Sequence, residues 1–149
     1  MELEIVGRLQ ELWKLLYLHI GAAPAHSPHE LVSYARLRNI LDYIGAHYTD
    51  KITLSDIAGA VHLCTSECSR LFRRYMNQSL FEFILEYRIE KSLPLLANPV
   101  YSITEIAANT GFNDSNYYSK VFLKVKGCSP SEYRKRLIPG IAGAQVRSR

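Results

Sequence analysis

Regular alternation of apolar and polar residues is missing from this chain of 149 residues, so a half-buried sheet is not its organising element. No apolar run is long enough to cross a membrane. The acidic start, Met1-Glu2-Leu3-Glu4, does not resemble a signal peptide. Cysteine is scarce: Cys64, Cys68 and Cys128 are odd in number and lack a framework spacing, which points to a reducing cytoplasm. The sets that carry catalysis are missing too. There are no paired acid–base carboxylates beside a plausible cleft, no nucleophile elbow and no phosphate-cradling glycine loop. His19, His26, His29, His47 and His62 have no metal-ligand spacing. The expectation is a protein that is not an enzyme and needs no cofactor or metal.

What is present suits a globular chain. Apolar residues make up 48% and charged residues 21%, a balance that can build a core. The net charge of +4 and pI near 9.0 suit a polyanionic partner without demanding one.

Helical periodicity runs through almost the whole chain, and the helix starts are well marked. Ser27-Pro28-His29-Glu30 combines a capping serine, proline at the first helical position and glutamate three residues after the cap. Ser79 to Glu82, Ser102 to Glu105 and Ser129 to Glu132 repeat the capping box, with Thr53 to Asp56 a weaker version. Asn77, Gly111 and Gly127 tolerate the left-handed position that ends a helix. These marks predict helices over 3–20, 28–48, 54–61, 65–76, 80–97, 103–110, 115–126 and 130–137. Residues 21–26 read as a linker, and the tail 138–149, which carries Pro139, Gly140 and Gly143, is expected to fray.

The chain also repeats itself. Thr53-Leu-Ser-Asp-Ile-Ala58 returns as Ser102-Ile-Thr-Glu-Ile-Ala107, Ser69-Arg-Leu-Phe72 as Ser119-Lys-Val-Phe122, and Ser79-Leu-Phe-Glu82 as Ser129-Pro-Ser-Glu132. Two copies are too few for a stacked solenoid. Each copy is a short helix, a turn and a second helix. Leu54, Ile57, Ala58 and Val61 are expected to face inward with Cys68, Leu71, Phe72 and Tyr75. Ile103, Ile106 and Ala107 match them with Tyr118, Val121, Phe122 and Val125. Small Ala58 and Ala107 let two helices cross closely. Such a pair is either an ordinary bundle element or a helix-turn-helix, whose second helix can enter the major groove. Duplication, with small polar and basic residues on the outer side of each second helix, favours the latter.

Residues 36 to 137 resemble the DNA-binding domain of AraC/XylS-type regulators. The resemblance rests on Ile103-Thr-Glu-Ile-Ala107, Gly111-Phe112, Tyr117-Tyr-Ser-Lys-Val-Phe122 and Gly127-Cys-Ser-Pro-Ser-Glu-Tyr-Arg134. Leu54 to Ala58, Ser69 to Phe72, Tyr87-Arg-Ile-Glu90 and Leu95-Leu96 support it upstream. It implies an all-α fold of two helix-turn-helix subdomains, each a homeodomain-like three-helical unit, joined by a long helix. An N-terminal helical segment precedes them. The expected organisation is an N-terminal helix and linker over 1–27, a DNA-binding domain over 28–137 and a flexible tail over 138–149. The DNA-binding domain divides into 28–78, a joining helix over 79–97, and 98–137. The implied function is a transcription regulator reading two successive major-groove segments of double-stranded DNA, an activator by the resemblance, with repression the open alternative; RNA polymerase is a further implied partner. The alternative is a helical protein-interaction or dimerisation module without sequence-specific DNA binding. A joining helix of about 27 Å is on the scale of the roughly 34 Å between successive major-groove faces.

Base-reading candidates are Ser66, Ser69 and Arg70 in the first copy and Ser115, Asn116, Tyr117, Ser119 and Lys120 in the second. Arg70 can bond guanine O6 and N7 together, and Asn116 adenine N6 and N7. Phosphate candidates are Arg73, Arg74, Lys124, Lys126, Arg134, Lys135 and Arg136, helped by helix N-termini near Ser79, Ser102 and Ser129.

Three positions depart from the family pattern. Cys64 replaces a capping serine, leaving Thr65 as the expected substitute cap, and Cys68 replaces a core leucine. Cys64, Cys68 and His62 have no convincing fourth metal ligand, and two cysteines one helical turn apart close a disulfide poorly. Pro94 falls inside the joining helix, where it removes an amide and is expected to bend the axis. Upstream, Val6, Leu9, Trp13, Leu16 and Ile20 have heptad spacing. They suit either a helix packed on its own chain or the seam of a homodimer.

Overall fold

The computed structural model describes residues 27–138. The expected N-terminal helix and linker, and the tail beyond Ile138, lie outside the described residues. Seven helices occur among those described: α1 (Pro28–His47), α2 (Leu54–Ala60), α3 (Thr65–Met76), α4 (Leu80–Leu96), α5 (Ile103–Asn109), α6 (Ser115–Lys126) and α7 (Pro130–Leu137). None is long and apolar enough to cross a membrane. Each lies within one residue of its predicted span at either end.

The caps explain that agreement. Ser27, Ser79, Ser102 and Ser129 each accept the amide of the glutamate three residues on, whose carboxylate takes back the cap's own N–H. Thr53 and Asp56 form an equally complete box rather than a weaker one. The hydroxyl of Thr53, then its amide, holds Asp56 below the usual carboxylate range. Thr65 does not take over at α3. Cys64 keeps the cap position, and its amide donates to Glu67 Oε2 at 3.3 Å. Asp114 caps α6 by accepting from the Asn116 amide at 2.9 Å. Asn77 (φ 59°) ends α3 and Gly127 (φ 74°) ends α6, both left-handed as predicted.

There are two cores. Leu37, Ile40 and Ile44 of α1 meet Ile57, Ala58 and Val61, then Cys68 and Phe72, and finally Leu80 and Ile84 of α4. The second core gathers Ile106, Ala107, Phe112, Tyr118, Val121 and Phe122 around Ile89 and Leu96 of the same α4. The long helix therefore gives its first half to one core and its second half to the other. At 17 residues it spans about 26 Å. The inward positions predicted from the repeat are buried or partly buried, with one correction. Leu54 is 38% exposed: as the first residue of α2 it lies in the wall of an open groove.

Pro94 lies inside α4 but only two residues before its end. The amide it lacks would have met the Glu90 carbonyl, and the helix continues to Leu96 regardless.

Candidate nucleic-acid interface

The two helix-turn-helix copies are superposable in their hydrogen bonds as well as their sequence. In the first, the Leu63 amide donates to Ala58 O at 2.9 Å; in the second, the Phe112 amide donates to Ala107 O at 2.9 Å. This is the long bond of a Schellman turn, which needs a left-handed residue just before the donor. His62 (φ 56°) and Gly111 (φ 85°) supply it. The second turn is one residue longer, with Asn113 inserted before the cap Asp114.

The turns set which face of the following helix is covered. In α3, Cys68 and Phe72 go inward while Ser66, Arg70, Arg73 and Arg74 are exposed and Ser69 is half-buried. In α6, Tyr118, Val121 and Phe122 go inward while Asn116, Tyr117, Lys120 and Lys124 are exposed and Ser115 and Ser119 are half-buried. Arg70 and Lys120 occupy the same place in the repeat. Arg70 influences Glu67 only through space: contacts from the Cys64 side chain and amide are the larger causes that hold Glu67 low. Ser119 already donates to Ser115 O at 2.9 Å, which leaves it an acceptor. The Tyr117 ring leans on Phe112, centroid to centroid 6.1 Å.

Two open grooves run along these faces. One, of about 630 Å³, brings Ser66, Ser69, Arg70 and Arg73 of α3 together with the N-terminal ends of α2 and α4. The exposed Leu54 and Phe81 form part of its apolar wall. The other, of about 620 Å³, lies between the copies. Arg73 and Asn77 stand on one side, Tyr117, Lys120 and Lys124 on the other, with Glu82 and Glu86 between them. Arg73 lines both grooves, and only at Arg73 and the end of α3 does that helix share a groove with α6. The Ser79 hydroxyl and amide hold Glu82 low, with smaller help from the charges of Lys124 and Arg73.

The predicted phosphate set divides. Arg73, Arg74, Lys124, Lys135 and Arg136 are exposed. Lys126 is not free: its ammonium bonds Glu90 of α4 in a half-buried pair. Arg134 is committed as well, donating from Nε to Leu96 O at 3.2 Å and from Nη2 to Tyr101 O at 2.7 Å. These two cations hold α6 and α7 to the joining helix, a use that charge alone does not reveal. The helix N-termini near Ser79, Ser102 and Ser129 each carry their own glutamate. That carboxylate consumes the cap amide and places negative charge where a phosphate would approach.

Sequence reasoning missed two residues. Ser92 is fully buried in α4; it accepts from Tyr118 Oη at 2.9 Å and donates to Ile89 O at 2.6 Å. Arg88 donates to Tyr48 O and Asp50 O. Ser92 shares a helix face with Ile89, Leu95 and Leu96, which is the one sign of its burial; Arg88, flanked by Glu86, Glu90 and Lys91, carries no such sign. The three cysteines are free, with Cys64 exposed and Cys68 and Cys128 buried. Among the described residues no cluster of His, Cys, Asp or Glu could hold a metal ion.

A family profile described as a helix-turn-helix domain matches residues 57–136. Among curated proteins, the chain is 36% identical over 134 residues to an HTH-type transcriptional regulator of Bacillus subtilis, YdeC, covering 90% of this chain and 46% of that protein. It is 36% identical over 138 residues to the Msm operon regulatory protein of Streptococcus mutans, covering 91% and 49%. The chain thus spans about half the length of these relatives. Among solved structures it resembles a transcriptional regulator with an AraC-type DNA-binding domain from Chromobacterium violaceum. The TM-score is 0.65 at 26% identity, over 72% of this chain and 97% of that one.

Proposed function

This chain belongs to the AraC-type helix-turn-helix family, and from that premise we propose that it is a sequence-specific DNA-binding transcription regulator, an activator. The observation that carries the reading is the repeated turn: the same Schellman bond, Leu63 to Ala58 O and Phe112 to Ala107 O, sets up α3 and α6 alike, and Arg73 of α3 lines a groove together with Tyr117, Lys120 and Lys124 of α6. Two such helices suit one major-groove segment each. Base reading is assigned to Ser66, Ser69 and Arg70 from α3 and to Ser115, Asn116, Tyr117, Ser119 and Lys120 from α6. Phosphate contacts are assigned to Arg73, Arg74, Lys124, Lys135 and Arg136.

The framework of the two copies repeats while these outer residues do not. The DNA site for one chain is therefore asymmetric rather than palindromic. The functional division is 28–78, 79–97 and 98–137, with α4 as the joint. The proposed partners are double-stranded DNA, RNA polymerase and, through Val6, Leu9, Trp13, Leu16 and Ile20, a second copy of the chain. The location that fits is the cytoplasm.

Selection from a random duplex library at fixed salt tests the reading. The expected result is a bipartite motif with centres about one helical turn apart. Arg70→Ala is expected to cost about 1–3 kcal/mol on the selected site and to relax one base position. A motif-free response that depends only on salt, or an equal loss on selected and random DNA, overturns sequence reading through α3.

A further inference from the structure

The two reading units meet at a polar junction centred on Arg88. This residue lies on α4 between Ile84, the last of that helix's buried residues in the first core, and Ile89, the first of its buried residues in the second. Its guanidinium reaches back into the first unit, where Nε donates to Tyr48 O at 2.7 Å and Nη2 to Asp50 O at 2.8 Å. Both carbonyls lie just past the C-terminal end of α1, where helix carbonyls lack partners and a cation is favoured. The same guanidinium sits 5.9 Å from the ring centroid of Phe112, in the second unit's turn. Phe112 in turn contacts the ring of Tyr117, a proposed base reader on α6.

The junction has no slack. A Cβ placed on Gly111 would lie 2.5 Å from Tyr48 O and 2.9 Å from Arg88 Nε. The turn that precedes α6 thus presses directly on the backbone that follows α1, and the arginine fork fills the space between. Lysine cannot reproduce the arrangement, because its ammonium lacks a planar fork that addresses two fixed carbonyls at once.

We infer that Arg88 is the positioning residue that fixes the angle between α3 and α6, and hence the spacing between half-sites that the protein accepts. The inference rests on the proposed reading of DNA through both helices. It adds a residue that touches no base: loosening the joint broadens spacing without altering what either helix recognises.

The test compares the wild type with Arg88→Met and Arg88→Lys. Binding is measured to duplexes that carry both half-sites at a series of spacings and to duplexes that carry one half-site alone. The expected result is half-site affinity within about twofold of wild type, with preference for the favoured spacing over its neighbours reduced about tenfold, the order of two lost hydrogen bonds. Phe112→Leu keeps an apolar plug, removes the ring beneath the guanidinium, and should broaden spacing in the same direction. Residual dipolar couplings on the DNA-free protein give a second readout. A single alignment should describe both units in the wild type, and two should be needed in Arg88→Met. Variants that keep the wild-type spacing profile and a single alignment overturn the inference. If the wild type itself shows no spacing preference while the couplings still respond to Arg88, the reading of DNA fails and the joint stands.

Discussion

His62 and Gly111 are the same position in two turns, and both are left-handed, with φ of 56° and 85°. Each stands between a helix that has just ended and the amide, of Leu63 or Phe112, that closes the turn. One copy meets the backbone requirement with glycine, which suits it, and the other with a residue that tolerates it at a cost.

The surroundings of the two positions predict opposite responses. His62 is exposed, so His62→Gly removes the strain of a left-handed side-chain-bearing residue, about 1–2 kcal/mol, less the added entropy of glycine in the unfolded chain. A net gain of about 0.5–1 kcal/mol is expected in urea denaturation. Gly111→Ala adds the same strain and also drives a methyl into Tyr48 O. A loss of about 2 kcal/mol or more is expected. Equal and small effects at both positions would mean that neither turn is constrained.

Why the helices were so legible in the sequence follows from their caps. A serine or threonine with an acid three residues on fixes a start locally, with no need of tertiary contacts, and Asn77 and Gly127 fix two ends the same way. The inward stripes were legible for the same reason, since period alone assigns Ile57, Phe72, Ile106 and Phe122. What the sequence could not separate was charge held inward from charge left outward. Lys124 and Lys126 look alike in a row of residues, and only packing shows that Lys126 lies against Glu90. Arg134 was hidden likewise, because its partners are backbone carbonyls, which leave no trace in residue identity. Leu54 was misplaced because a residue in the first turn of a short helix need not face what the next turn faces.

Tyr118 should give the protein a specific alkaline weakness. Burial pushes its hydroxyl up from the ordinary 10 to about 12, against the smaller opposing effects of Ser92 and the charge of Arg134. The folded protein thus keeps a proton that the unfolded chain releases near pH 10. Between pH 10 and 12 the unfolded state binds fewer protons, so stability falls as pH rises. This contribution is fully present below pH 10 and lost through the folded value. Tyr118→Phe is expected to cost about 1 kcal/mol at neutral pH through the lost bond to Ser92. The decisive measurement is the difference between variant and wild type in denaturant stability from pH 9 to 12, which should shrink with rising pH and then change sign, leaving the variant the more stable. A constant difference would argue that Tyr118 does not titrate with folding.

The division of the cations is open to a salt titration. Each phosphate contact should contribute about 0.9 to the slope of log affinity against log salt concentration. Lys124→Ala is expected to lower that slope by about 1 and to leave folding stability nearly unchanged. Lys126→Met should leave the slope as it is and instead lower stability by about 1–2 kcal/mol, because Glu90 loses its partner in a half-buried site. If Lys126→Met reduces the slope as much as Lys124→Ala, then the Glu90 pair opens to let Lys126 reach DNA.

Pro94 tests where along α4 the geometry of the two units is decided. Leu96, beyond it, is buried in the second core, but most contacts that tie α4 to both units lie upstream: Leu80 and Ile84 in the first core, Arg88 at the junction, Ile89 in the second core, and Ser92 bonded to Tyr118. A bend near the last two residues of the helix would come after these contacts have fixed the second unit. Pro94→Ala restores an amide that can meet the Glu90 carbonyl, and a gain of about 1 kcal/mol is expected from that bond. Half-site spacing should stay as in the wild type, in contrast to the broadening expected from Arg88→Met. A spacing optimum displaced by Pro94→Ala would show that the end of the joining helix, through Leu96 and the Arg134 bond to its carbonyl, sets the angle instead.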